Sequence, residues 1–297
     1  MKANKLQFAS RLAFLALATV VTSSFVACGG DDDEPSTDSR LSDKTTPVTF
    51  RLDNGRSYMF DYSGSQYVGS DTLEVYGSTY HADDKTYYKE VKIDLRQGQH
   101  QLMWFRGISN SSVRFDPSAK CVTISGSNNP DRVRFAVCDA NVSEYLLPPF
   151  NLSLQDLTAR LVIFMSAYAL SEAVGDNGNV AAAKIIGLPV VTSVSVLGEG
   201  YKADFLSTTV GVGTAGISDY GFYESPYILC PKEGLNDIQL TVEFTDKNGT
   251  QIGTVNLPKV SLLRGQVTVI ARDSSSEDAN DWVTGMVSYE EYDEAMK

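Results

Sequence analysis

Histidine and tryptophan occur twice each in 297 residues, cysteine four times, and basic residues are outnumbered 25 to 37 by acidic ones. Each scarcity excludes something. With only His81 and His100, and no G-x-S-x-G elbow, there is little from which to build a nucleophile–base set. No catalytic residue is assigned, and the chain reads as a non-enzyme. The cysteines show no Cys-x-x-Cys spacing, so neither a structural zinc site nor any other metal or cofactor is expected. A net charge of −12 and a pI near 4.6 argue against a nucleic-acid partner, which needs a basic face. After residue 27 no apolar run is long enough to cross a bilayer. No segment repeats at fixed period, so the chain is not a solenoid.

What is present begins with an address. Lys2, Lys5 and Arg11 precede an apolar run from Leu12 to Val21, broken only by Thr19, and small residues lead up to Ala27. Residues 1–27 therefore read as a secretory signal, cut between Ala27 and Cys28. The cysteine at that place makes the segment resemble a lipoprotein signal, in which the Cys28 thiol takes up lipid. Phe25 stands where an aliphatic residue is usual, and ordinary secretion with Cys28 incidental is the alternative. Each buried CH₂ of an acyl chain contributes about 0.8 kcal/mol, and stable anchoring takes more than one chain. Gly29-Gly30 and the acidic block Asp31-Asp32-Asp33-Glu34 follow. Like charges in a row repel and stay solvated, so residues 28–46 read as a disordered tether. The acidic block resembles the signal that sends Bacteroidota lipoproteins to the outer face of the outer membrane.

Setting Cys28 aside leaves Cys121, Cys138 and Cys230, an odd number. A turn at Ser127-Asn128-Asn129-Pro130 would put Cys121 and Cys138 at the open end of one hairpin. Either a disulfide or two small packing residues fits.

From Pro47 onward the pattern has period two. Val48, Phe50 and Leu52 alternate with polar residues, Asn54-Gly55 signals a hairpin turn, and further short strands run to residue 138. Pro148-Pro149 marks a boundary. Residues 47–149 form one expected β-sandwich and residues 150–297 a second. At the start of the second, Ser153 and Asp156 would cap a helical turn leading into a strand at 161–165. Pro189 to Leu197 and Ile238 to Phe244 alternate as strands, and Ser288-Tyr289-Glu290-Glu291 is a capping box for a short acidic helix.

Other motifs are weaker. Gly211-Val212-Gly213-Thr214-Ala215-Gly216 matches a dinucleotide loop, but no helix opens after it, so a plain glycine loop is preferred. His81 with Asp83 and Asp84 could hold a cation, though a solvated loop is the simpler reading. His100 sits at an outward strand position. Tyr87, Tyr88, Trp104, Phe105, Tyr220, Phe222, Tyr223 and Tyr227 could form a sugar-stacking platform; at strand spacing most belong in a core.

Taken in order, the lipid cysteine and tether, the strand at Pro47-Val48-Thr49-Phe50, the run Leu95-Arg96-Gln97-Gly98-Gln99-His100-Gln101-Leu102, the opening at Leu157-Thr158-Ala159-Arg160 and the closing Leu262-Leu263-Arg264-Gly265-Gln266-Val267-Thr268-Val269 resemble the fimbrillin superfamily of Bacteroidota surface lipoproteins. The resemblance implies an all-β chain of two tandem transthyretin-like sandwiches, acting as a fimbrial shaft, tip or anchor subunit that assembles by strand donation. Implied partners are other fimbrial subunits, the outer-membrane lipid through Cys28, and a host or glycan ligand. Shaft subunits of that family are cut after an arginine near the first strand; Arg40, Arg51 and Arg56 are the local candidates. The acidic tail after residue 288 is unlike a plain donor strand. The alternative is a surface glycan-binding lipoprotein working beside an outer-membrane transporter.

Overall fold

The computed structural model describes residues 41–83, 85–108, 113–124, 131–175, 180–198, 200–205, 220–272 and 282–297. Cys28, Arg40, Asp84 and the glycine motif at 211–216 lie outside the described residues. In the first half the strands are β1 (Thr45–Leu52), β2 (Gly55–Ser63), β3 (Gln66–Val75), β4 (Thr79–His81), β5 (Thr86–Arg96) and β6 (Gly98–Arg106). They continue with β7 (Val113–Asp116), β8 (Cys121–Ile124), β9 (Arg134–Val142), β10 (Phe150–Asn151) and β11 (Gln155–Asp156). Next come β12 (Thr158–Ser166), helix α1 (Ala167–Val174), β13 (Ala182–Ile186), β14 (Pro189–Ser195), β15 (Tyr201–Phe205) and β16 (Tyr220–Glu224). The rest is β17 (Ile228–Leu229), β18 (Leu235–Ile238), β19 (Thr241–Thr245), β20 (Gln251–Asn256), β21 (Val260–Leu262), β22 (Gln266–Arg272), β23 (Trp282–Ser288) and helix α2 (Tyr289–Ala295).

The all-β class is as expected. Two sheets face each other in the first half, in orders β10-β1-β5-β4 and β11-β9-β6-β2-β3. Val48, Phe50 and Leu52 point from β1 between them onto Leu102 and Trp104 of β6 and onto Ala136 and Ala140 of β9. The chain changes sheet between β1 and β2, so Asn54-Gly55 is not the hairpin turn its sequence announces. Arg106 explains the difference: its guanidinium donates to the carbonyls of Asp53 (2.7 Å) and Asn54 (2.8 Å) and pairs with the Asp53 carboxylate at 2.6 Å. That fixes the crossover. A second crossover joins β5 to β6 at Gly98, whose φ of +140° suits only glycine and whose added Cβ would meet the Leu41 side chain at 2.7 Å.

The second face of the β11-β9-β6-β2-β3 sheet is also covered. Tyr62, Met103, Phe105 and Phe135 join a larger core with Leu161, Ile163, Val194, Leu240, Phe244 and Ile270. The β7–β8 hairpin leaves the first half altogether: β8 pairs antiparallel with β14, giving the order β15-β14-β8-β7 across residue 150. Cys121 and Cys138 thus lie in different sheets, on β8 beside Ser195 and on β9 beside Leu102. The expected hairpin does not form, and both thiols are free.

The sheet β16-β12-β22-β23 backs the second half, with β12 and β22 parallel. Here the expected order is reversed. Gln155-Asp156 is strand, paired with Phe135 and Arg134 of β9, and the helix follows the long strand instead of leading into it. Ser166, not Ser153, caps it by accepting from the Ala169 N–H. Burial decides this: Leu161 to Ile163 is apolar on both faces of its strand, as a central strand requires. The helix at the end is as read: Ser288 and Glu291 close the capping box. Its Tyr289 and Tyr292 bury Val162, Val267, Val269 and Val287 on the outer face of the sheet.

Candidate functional site

β1 is the element to build from. It lies between β5, paired antiparallel from Thr45↔Arg96 to Leu52↔Lys89, and β10, paired parallel at Phe50↔Phe150 and Arg51↔Asn151. Its alternation puts Val48 and Phe50 at 0 % exposure. The Phe50 ring sits 5.0 Å from Trp104 and 5.6 Å from Phe150. Burying side chains of this size stabilises by roughly 1.5–3 kcal/mol each. Take β1 away and two neighbours are left with open edges around an apolar slot.

Two of the three candidate arginines can be placed. Arg51 is on β1 near its end, reaching Glu90 at 3.2 Å and Asn151 at 3.4 Å, with its guanidinium 4.7 Å over the Tyr88 ring. Its backbone is in the ladder on both sides. Arg56 starts β2 on the other sheet, paired with Glu74. Hydrogen bonding to Glu74 holds the Arg56 guanidinium pKa above its ordinary value. The structure brings Arg51 and the slot together and leaves Arg56 apart from it.

His100 is not outward. Gln99, and not His100, is the outward residue at this end of β6: His100 shares the face of Leu102 and Trp104, which meets the first core, and is 3 % exposed. Its Nδ1 lies 2.8 Å from one Asp61 carboxylate oxygen, and its Nε2 lies 2.6 Å from the Arg96 carbonyl. Both partners are acceptors, so the form this geometry favours is the imidazolium, which donates from both ring nitrogens. Burial opposes the charge, but the Asp61 hydrogen bond, the Arg96 carbonyl and the Asp61 charge outweigh it and raise the pKa above 6.5. A raised folded-state pKa gives stability that is complete below the unfolded value and is lost as pH rises through the folded one. Unfolding free energy measured in urea is therefore expected to fall as pH climbs from about 6.5, and Asp61→Asn should flatten that slope. An equal slope in the variant would rule out the pair as its source.

His81 closes β4 and stacks on Tyr88 at 3.6 Å and 6°, so it belongs to a strand and not to a solvated loop. Among the described residues no three metal-ligating side chains converge. Burial pushes the Cys138 and Cys230 thiols up to about 12, which leaves neither as a nucleophile near neutrality. A shallow cleft of about 500 Å³ is lined by Glu172, Thr254, Asn256, Arg272 and Trp282, with Glu172 and Arg272 paired at 2.6 Å.

The aromatics divide. Trp104 and Phe105 are core, Tyr88 is buried under Arg51, and Tyr227 packs on Tyr289 at 5.6 Å. The side chains of Tyr220, Phe222 and Tyr223 lie outside the described residues. Tyr87 stays outside, 63 % exposed, and meets Tyr80, a residue not singled out from the sequence, at 5.1 Å. The missing signal was register: Tyr80 and Tyr87 face each other only once β4 and β5 are paired.

The architecture is that of an all-β sandwich protein. No protein-family model and no curated protein matches the sequence. Among solved structures the chain is similar to a fimbrial assembly protein of Parabacteroides distasonis, with a TM-score of 0.51 and 8 % identity over 84 % of this chain and 97 % of that one. It is also similar to the fimbrial anchor protein Mfa2 of Porphyromonas gingivalis, at 0.48 and 12 % identity over 82 % and 97 %. A candidate polysaccharide-binding protein of Bacteroides thetaiotaomicron aligns at 0.49 and 10 % identity over 83 % and 99 %. By their descriptions two of these neighbours are fimbrial proteins and one is a candidate polysaccharide-binding protein, and what the chain shares with the first of them is the fold.

Proposed function

We propose that this chain is a non-catalytic, surface-anchored subunit of a fimbrial adhesion assembly that accepts a strand from a neighbouring subunit. The observation that carries the reading is β1. It continues directly from the N-terminal segment, buries Val48 and Phe50 completely, and borders strands on both sides that its departure would leave unpaired. The fold shared with a fimbrial assembly protein supports it. In this reading residues 47–149 and 150–297 are the two tandem units, with the β7–β8 hairpin lent to the sheet of the second. Cys28 holds acyl chains in the outer membrane, and the tether is residues 28–40, shorter than the expected 28–46, because Ser42 and Lys44 already bond Gln97 and β1 starts at Thr45. The acceptor side is assigned because α2 is pinned: Tyr289 and Tyr292 are 1 % and 2 % exposed, and their segment cannot leave as a donor without uncovering a sheet face.

The test is the N-terminal mass of the native protein from cell envelopes, read alongside SDS gels of unheated samples. The expected species are a lipidated Cys28 form and, in the SDS-resistant oligomers, a form starting at Leu52. Arg51→Ala should leave the first and abolish the second. Oligomers whose subunits all retain β1 would overturn the strand-acceptor reading, and an unmodified Cys28 would overturn the anchor.

A further inference from the structure

We propose that the outer face of the β4–β5 hairpin is a binding platform for a neutral polysaccharide, with Tyr80 and Tyr87 as the stacking pair. The proposal specifies a ligand for the surface-adhesion reading and does not depend on strand exchange. Tyr80 and Tyr87 are directly opposed across the hairpin, with ring centroids 5.1 Å apart. They are 53 % and 63 % exposed. Cross-strand aromatic pairs usually sit under a covering layer, and a single exposed tyrosine needs no explanation. Two opposed rings left open on one hairpin face are the kind of apolar patch that marks a binding surface.

The corner is held in place from behind. His81 and Tyr88, on the opposite face of the same two strands, stack at 3.6 Å, and Arg51 lies 4.7 Å over Tyr88. Tyr76 is tied as well: its hydroxyl donates to Glu74 at 2.9 Å, and Lys89 donates to its carbonyl at 3.2 Å. Lys89 is two residues beyond Tyr87 on the same face of β5. Flat rings on a braced hairpin lose little freedom when something stacks on them.

Size and charge select the occupant. Two rings that each bury about 200 Å² when covered, each a little over half exposed, leave on the order of 200 Å² open here, well short of the about 800 Å² per partner of a stable protein interface. β4 has three residues, too short an edge for a partner strand. A pyranose fits: its C–H face is apolar and packs on a π face, while its hydroxyls meet the tyrosine hydroxyls and the Lys89 amine. Glu74 is already paired with Arg56 and Lys89 brings a cation to the platform, but the chain carries −12 overall, so the field of the whole molecule disfavours anionic glycans.

The experiment is electrophoresis of the full-length protein through native gels containing laminarin, dextran or galactomannan, with heparin and polygalacturonate as the anionic arm. At least one neutral glycan is expected to retard the protein. Tyr80→Ala with Tyr87→Ala should weaken binding roughly tenfold or more, while Tyr87→Phe, which keeps the ring, should hold it. Circular dichroism checks that the double variant remains folded, as its exposed positions lead one to expect. Retardation by heparin or polygalacturonate alone, by none of the five, or equally in the double variant would overturn the platform. The N-terminal mass is untouched by these substitutions, so failure here leaves the strand-acceptor reading standing.

Discussion

Trp104→Ala is expected to cost about 3–5 kcal/mol of stability, the range for removing a fully buried large aromatic side chain. Trp104 is 0 % exposed, central on β6, and flanked in register by Met59 and Ala136. Its ring is the floor on which Phe50 rests, 5.0 Å away. The indole Nε1 has no oxygen or nitrogen partner and only the weakly accepting Cys138 sulfur near it, so the loss is one of packing and of the cavity left behind. A surface change such as Tyr87→Ala should by contrast stay within about 0.5 kcal/mol. The measurement is urea unfolding followed by circular dichroism, because Trp282 would be the one tryptophan left as a fluorescence probe. The floor is also the slot under β1, so amide hydrogen exchange in Thr45–Leu52 should accelerate more than that in β22. A loss below about 1 kcal/mol would mean that the first core closes over the gap, and that β1 is not held by the stack beneath it.

The same stack explains what could be read in advance and what could not. β1 was legible because it meets solvent on one side and Trp104 on the other, so its polar and apolar residues alternate. The Ser288 capping box was legible because its two partners are three residues apart and need nothing else. His100 was misplaced because Met103 and Phe105 are as buried as Leu102 and Trp104, so the apolar end of β6 does not tell one face from the other, and His100 shares the face of Leu102 and Trp104. Asp61, its partner, stands 39 residues earlier and becomes visible only through the β2–β6 pairing. Cys121 and Cys138 failed for the reverse reason. The turn chemistry between them was local and plausible, but β8 finds its partner in β14, beyond residue 150. The run Ile238 to Phe244 is not one strand: Ile238 ends β18, which pairs with β21 through an irregularity that holds Asp237 at a φ of +55°, and β19 begins at Thr241 beside β20. As for the site, residue types announced an aromatic surface, but only strand register separates Tyr80 and Tyr87 outside from Tyr88 beneath.

Arg264→Met is expected to destabilise by about 3 kcal/mol, with Arg264→Lys recovering little of it. Arg264 lies in the Leu262-Leu263-Arg264-Gly265 run, where Gly265 takes the φ of +73° that lets β22 begin. The side chain folds back into the molecule. Its Nε donates to the Cys230 carbonyl at 2.6 Å, Nη2 to the Ser195 carbonyl at 2.8 Å, and Nη1 more weakly to Val196 at 3.5 Å. Its guanidinium also lies 5.8 Å over Phe135, from the first half. One planar fork thus fastens the turn before β22 to the end of β14 and to the segment after β17. Burial lowers its pKa, but a guanidinium stays charged, so the carbonyl dipoles do the neutralising. Methionine fills much the same space and supplies no donor, leaving buried carbonyls unmet. Lysine brings the charge but a single point of donation, and the carbonyls it must satisfy belong to two separate segments. Urea unfolding of the three forms at pH 7 decides the matter. A lysine variant as stable as wild type would mean that charge, and not the fork, holds these segments together; a methionine variant as stable would mean that packing alone does.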